Sequence, residues 1–341
     1  MARQPSPNVV EMGLVFQSTG TADGGSRPAG QTAVEQITAD DIVVWKRFGQ
    51  TAAVMLNYFH ILILALVQGA CELLPVSSSA HVIVAEKLMG LDPSSPEMTM
   101  LLIMLHTGTM FAVIVYFWKR WQRDYFVSSG QTQWFVIQVL AATACTGVVG
   151  YGLKELIEKV FMRGREHAEI EDLFNNLPLV AGALTAVGAL IIYAGLREEQ
   201  QPRHSEIQPR HSAWIGLVQG LCLPFRGFSR SGATISTGLI LGLPKQKLEE
   251  FSFALAVVLT PPIVAKEALR LLKAHALSGT GAVWHLFVPG LVGMGLSFLA
   301  GLLALKWLSR WLEGGRWKLF GFYCLAAAAG VLALHFAHFK E

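Results

Sequence analysis

Leu66-Val67-Gln68-Gly69-Ala70-Cys71 and Leu217-Val218-Gln219-Gly220-Leu221-Cys222 are one hexamer written twice with a single change, and each copy runs straight into a polar break. The first break reads Glu72-Leu73-Leu74-Pro75-Val76-Ser77-Ser78-Ser79-Ala80-His81, and the second contains Gly227-Phe228-Ser229-Arg230-Ser231-Gly232. Carrying the offset of the hexamer forward pairs Ser78 with Ser229, and Ser79-Ala80-His81 with Arg230-Ser231-Gly232. A short apolar hexamer recurs by chance in apolar chains; polar breaks at the same offset argue against coincidence.

The apolar stretches that carry the two copies, about 53–74 and 213–225, are interrupted too early to read as clean spans. Six others, at about 97–118, 132–153, 177–196, 251–272, 284–308 and 317–338, approach the ~20 residues needed to cross a hydrocarbon core. If each interrupted stretch is a hairpin that returns to its own side, three spans separate the copies, and the second hairpin must enter from the opposite face. The expected fold is therefore an all-α polytopic membrane protein with six full transmembrane helices and two re-entrant helical hairpins. They form an inverted-topology repeat with halves at about 53–196 and 213–338. In such folds broken helices meet near the midplane to build a site, and non-helical backbone at that depth must be surrounded by protein or a water-filled cavity.

Composition agrees with a membrane protein. Of 341 residues 52% are hydrophobic and only 15% charged, against about 25% charged in soluble domains. The net charge of +3, with no basic block, gives no case for nucleic acid. The four cysteines lie in apolar runs without the spacing of a zinc site or disulfide framework, and read as small core residues. Residues 1–50 are expected to form a polar tail, disordered over about the first 40, without the basic and apolar regions of a cleavable signal peptide. The pentapeptide Gln-Pro-Arg-His-Ser occurs at 201–205 and again at 208–212, and reads as a local duplication in a solvated linker. Basic residues divide eleven to seven between the two faces, which makes the face receiving Lys119, Arg197, Lys245 and Arg310 cytoplasmic and puts the first hairpin on the external side.

The breaks carry the chemistry. Gln68 and Glu72 are four apart and share a helix face. Pro75 ends that helix, and Ser77, Ser78 and Ser79 are suited to cap a new one with His81 in its first turn. A helix start presents unpaired N–H groups and partial positive charge, a ready site for phosphate. The second break repeats the device ahead of a short helix expected over Ala233–Leu243, and Arg230 adds a planar fork able to grip phosphate oxygens. Each residue also has a plainer use: Glu72 and Arg230 as a structural ion pair, His81 as an interfacial histidine, the serines as caps, Arg230 as a headgroup anchor. His106 and Lys266-Glu267 are read as packing or interfacial groups.

Gln68 to His81, Leu105-His106-Thr107-Gly108-Thr109 and Gly227 to Thr234, in this order, resemble the undecaprenyl-diphosphate phosphatases of the BacA type, over residues from about 56 to the C-terminus. The resemblance implies a membrane-embedded phosphatase domain over 51–341 that removes the terminal phosphate of undecaprenyl diphosphate. That reaction recycles the lipid carrier for cell-wall synthesis and gives bacitracin resistance. The family's motif residues fall on Gln68, Glu72, Ser77, Ser78, His81 and Arg230, of which Glu72, Ser78, His81 and Arg230 are expected to be catalytic; Gln68, Ser77 and the neighbouring hydroxyls of Ser79, Ser229, Ser231 and Thr234 are expected to bind phosphate. The resemblance implies no tightly bound cofactor; family members respond to divalent cations, and Mg²⁺ or Ca²⁺ bridging the diphosphate to Glu72 fits that response. The expected partners are a polyprenyl diphosphate and membrane lipids; a homodimer stays open. One departure is Arg226, which stands where the family motif carries Pro, with Pro224 two residues earlier. The attack is expected from Ser78 or a water. A lipid flippase or transporter using the same cavity is the rival from another class.

Overall fold

A computed structural model of the chain describes residues 58–91, 96–161, 176–197, 204, 206–278 and 283–337. The expected N-terminal tail lies outside the described residues, as does most of the first Gln-Pro-Arg-His-Ser copy. The described residues are helical throughout, with connecting turns. The helices are α1 (Tyr58–Leu73), α2 (Ser78–Leu88), α3 (Pro96–Asp124), α4 (Ser129–Leu156), α5 (Leu177–Arg197), α6 (Pro209–Cys222), α7 (Arg230–Ile240), α8 (Lys245–Ser278), α9 (Val283–Glu313) and α10 (Trp317–Phe336). Six stretches are long and apolar enough to cross a bilayer: Met98–Asp124, Ser129–Lys159, Leu177–Arg197, Lys245–Lys266, Phe287–Glu313 and Trp317–Phe336. This is the make-up of a polytopic membrane protein, and Val148, Leu303 and Phe336 expose large apolar side chains on its outside.

The fourth expected span, 251–272, begins six residues earlier than its apolar run, at Lys245, because two carboxylates are drawn inside. Glu249 Oε1 accepts the Ser309 hydroxyl at 2.5 Å and its Oε2 lies 3.5 Å from Arg120 Nη1. A buried charge persists only when it is paired in this way. The helix after the second break also starts earlier than expected, at Arg230, because the Ser229 hydroxyl accepts the Gly232 N–H and caps it. Both short helices are eleven residues long. Ser77 precedes the first and Ser229 the second, so the second break holds one residue more than the hexamer offset allows.

Helix pairing follows close approach rather than apolar area, since lipid is as apolar as leucine and small residues let backbones touch. α5 lies along α10, α3 packs on α9 and α8, α4 on α6 and α8, and α7 is enclosed by α5, α6 and α8. The twin glycines of the hexamer mark equivalent crossings: a Cβ on Gly69 would come within 2.7 Å of the Ser297 carbonyl on α9, and one on Gly220 within 2.9 Å of the Thr146 carbonyl on α4. Gly227 has φ +102° and sits against the Val180 carbonyl of α5, so neither its backbone nor its surroundings admit a side chain. The largest core cluster joins Leu73 and Leu74 at the first break to Phe117, Ile235, Phe253 and Trp317, and thereby locks both breaks into one packed unit. Trp317 adds an indole N–H bond to Ser236 of α7 at 3.0 Å.

Candidate active site

Glu72 lies in the last turn of α1, and Leu74-Pro75-Val76 turn the chain before α2. Gln68, one turn back on the same face, donates Nε2–H to Glu72 Oε2 at 3.2 Å. Ser78, the first residue of α2, donates its hydroxyl to the same oxygen at 2.5 Å. From the other break, Arg230 at the start of α7 donates Nη2–H to Glu72 Oε1 at 3.0 Å. His106 of α3 places Nε2 3.7 Å from Glu72 Oε2. Four helices thus converge on one carboxylate.

The Glu72 and Arg230 side chains are only 18% and 17% exposed. Water screens such a pair poorly, and removing one partner leaves a buried charge uncompensated, at a cost of about 3–5 kcal/mol. The pairing is nevertheless incomplete. Arg230 Nη1 and Gln68 Oε1 are both buried without a hydrogen-bond partner. A guanidinium whose second nitrogen is unused can turn its planar fork to two oxygens of an oxyanion such as a carboxylate or phosphate.

The remaining serines divide into two groups. Ser77 adopts φ 67° and ψ 95°, and its hydroxyl lies 3.3 Å from that of Ser79 instead of capping α2. The first-turn N–H groups of α2 therefore lack a side-chain cap. The Ser77 carbonyl accepts His81 Nδ1–H at 2.8 Å. Because a carbonyl only accepts, the neutral imidazole carries its proton on Nδ1, and its Nε2 takes the Tyr323 hydroxyl proton at 2.7 Å. The two rings stack with centroids 5.6 Å apart. On α7 the hydroxyls are committed inward: Ser229 to the cap, Ser231 to the Leu74 carbonyl at 3.3 Å, and Thr234 to Ser252 at 2.6 Å and the Arg230 carbonyl at 2.9 Å. Ser229, Ser231 and Thr234 are all buried, and these bonds fix the start of α7 and with it Arg230. Arg226 is half-buried in the turn before α7.

The structure therefore gathers Gln68, Glu72, Ser78 and Arg230 directly and sets Ser77, Ser79 and His81 on the first turn of α2. Two residues read otherwise in the sequence join them. His106, read as a packing group, is in fact beside the carboxylate, because the α3 turn that holds it passes the end of α1. Its only signal was membership of the Leu105–Thr109 motif. Tyr323 sits in an apolar span 242 residues from His81 and gave no local signal.

A resident divalent metal does not fit this donor set. Among the described residues no group of three or more His, Cys, Asp or Glu side chains is arranged to hold a metal ion. Both oxygens of Glu72 are engaged, one by a guanidinium whose charge opposes a dication.

A family model, "Bacitracin resistance protein BacA", matches residues 61–330. The chain is 59% identical over 285 residues to "Undecaprenyl-diphosphatase 2" of Acinetobacter baylyi, covering 82% of this chain and 98% of that protein. It is 31% identical over 287 residues to "Undecaprenyl-diphosphatase" of Bacteroides fragilis, with the same shares of each chain. It is also 32% identical over 301 residues to "Undecaprenyl-diphosphatase 2" of Burkholderia ambifaria, covering 83% of this chain and 99% of that one.

Proposed function

The chain belongs to the bacitracin resistance protein BacA family, and from that premise we propose that it hydrolyses undecaprenyl diphosphate to undecaprenyl phosphate and inorganic phosphate. By the same reading it recycles the lipid carrier for cell-wall synthesis in the bacterial inner membrane and confers bacitracin resistance. The observation that carries the proposal is the convergence on Glu72: a serine hydroxyl at 2.5 Å from one break and a guanidinium at 3.0 Å from the other, with Arg230 Nη1 still unpartnered.

Arg230 and the uncapped start of α2 bind the oxygens of the terminal phosphate and neutralise charge as the transition state forms. Ser78 Oγ attacks the terminal phosphorus in line, its proton passing to Glu72 Oε2. The bond from phosphorus to the bridging oxygen breaks, and undecaprenyl phosphate departs. A phosphate monoester has a second pKa of about 6, so this leaving group needs little acid assistance. Water then attacks the phosphoserine; Glu72 returns its proton to Ser78 Oγ and takes one from the water, and inorganic phosphate is released. His81 handles protons only when the Tyr323 hydroxyl turns away from its Nε2.

The inverted-topology repeat, with re-entrant arms α1–α2 and α6–α7 and the site facing the external side, belongs to the same proposal. Its support is the equivalent crossings of Gly69 and Gly220, the equal short helices and the distribution of basic residues. Phosphate release from C55 diphosphate by detergent-purified protein tests the hydrolase reading. The wild type is expected to release phosphate at least ~100-fold faster than Glu72→Ala or Arg230→Ala, as loss of a transition-state donor implies. Equal, negligible release by all three proteins is what a transporter would give, and would sink the reading.

A further inference from the structure

His106 presents the same tautomer logic as His81 with a different neighbour. Its Nδ1 lies 2.8 Å from the Leu102 carbonyl, so Nδ1 carries a proton, and its Nε2 faces Glu72 Oε2 at 3.7 Å. A bare imidazole lone pair and a carboxylate oxygen repel. Attraction across that gap requires one proton held between them, whichever atom carries it at a given moment.

We infer that His106 is the positioning residue that keeps Glu72 in place, through a shared proton, once the substrate has claimed Arg230; this rests on the hydrolase reading above. Arg230 spends Nη2 on Glu72 and has Nη1 to spare. A two-pronged grip on phosphate needs both nitrogens, so binding draws Nη2 away from Glu72 Oε1. The Ser78 bond to Glu72 is consumed as that hydroxyl attacks. Gln68 and His106 then remain as the groups that hold the Glu72 carboxyl, now carrying the Ser78 proton. The partly exposed His106 ring needs to close by about 1 Å to reach ordinary hydrogen-bond distance.

Among the described residues, few titratable groups lie on the elements packed near His106. On α9 the stretch 290–305 carries no titratable side chain; on α8 the stretch 251–265 carries none, and Lys266, the next residue, is exposed. On α1 Glu72 itself is the acid, with Cys71 beside it, and on α7 Arg230 is the cation already counted. The titratable groups of α2 are His81, held by Ser77 and Tyr323, with Glu86 and Lys87 about one and a half turns further along the helix.

The test compares His106→Leu and His106→Gln with wild type for phosphate release from C55 diphosphate. Leu removes the donor, and kcat is expected to fall at least ~30-fold with KM within about two-fold, because substrate binding runs through Arg230. Gln restores an N–H donor and should raise kcat at least ~10-fold above the Leu variant. Wild-type turnover by His106→Leu, or no rescue by Gln, overturns the inference while leaving the hydrolase intact. A second measurement needs no turnover. Diethyl pyrocarbonate attacks an imidazole nitrogen with a free lone pair, so His106 should be modified several-fold faster in Glu72→Ala than in wild type, read by peptide mass spectrometry of the folded proteins. Equal rates overturn the inference even if the protein proves to hydrolyse nothing.

Discussion

Replacing Arg230 with Lys separates the two uses of that side chain. The guanidinium donates Nη2–H to Glu72 at 3.0 Å and holds Nη1 unpartnered in the same site. Lysine keeps the charge and can pair with Glu72 in the resting site, but it has one nitrogen and cannot grip a phosphate through two atoms of a rigid fork. One charge-assisted hydrogen bond to the transition state is lost, about 1.5–3 kcal/mol. At 1.36 kcal/mol per decade that is roughly a 13- to 160-fold fall in kcat/KM. Stability should behave differently. Arg230→Lys leaves Glu72 a cation, whereas Arg230→Ala strands a carboxylate that is 18% exposed, so the Ala variant should lose about 3–5 kcal/mol and the Lys variant little of it. Phosphate release and thermal unfolding in the same detergent read both quantities. The reasoning fails if Arg230→Lys hydrolyses at the wild-type rate, or if its thermal midpoint falls as far as that of Arg230→Ala.

Three further changes probe the scaffold. Thr146→Val removes the hydroxyl that accepts Gln219 Nε2–H at 3.0 Å and strands a buried carboxamide; unfolding in denaturant should show a loss of about 1–3 kcal/mol, with phosphate release per folded molecule unaltered. Gly227→Ala puts a Cβ 2.5 Å from the Val180 carbonyl at φ +102°; folded yield measured by size-exclusion chromatography should drop sharply. Tyr323→Phe keeps the ring stack on His81 but deletes the hydroxyl that occupies its Nε2; with that nitrogen freed for proton transfer, kcat/KM should rise roughly 2- to 13-fold, the equivalent of about 0.5–1.5 kcal/mol, with the thermal midpoint unchanged.

The spans were legible because an apolar run is long or it is not, and the expected boundaries agree with the helices where the flanks are simply polar. They missed at Lys245, where Glu249 and Glu250 look like a helix end but are buried, one of them through Ser309, sixty residues away in the chain. The meeting of Glu72 with Arg230 was legible for another reason: a carboxylate and a guanidinium in two copies of one break are too costly to bury apart. His106 and Tyr323 were not legible as site residues. Each owes its place to which turn of a long helix passes the break, and helix register across a crossing is fixed by packing, as at Gly69 against Ser297. The serines show the limit of residue type as a guide. Ser77 and Ser229 precede equal helices, yet one leaves its helix uncapped with φ 67° and the other caps. An extra residue in the second break is enough to change which hydroxyl is available.

The Glu72–Arg230 bond joins positions 158 residues apart, and the distance has a meaning in time. A ribosome adding 5–20 residues per second needs roughly 8–30 s to travel that far. Over this interval the first arm of a nascent chain exists while its counter-cation is still unmade, and Glu72 must stay hydrated or keep its proton. The finished site is thus also a completion mark: a chain stalled or truncated before α7 carries an unneutralised acid in its first arm, a flaw that membrane quality control can act upon.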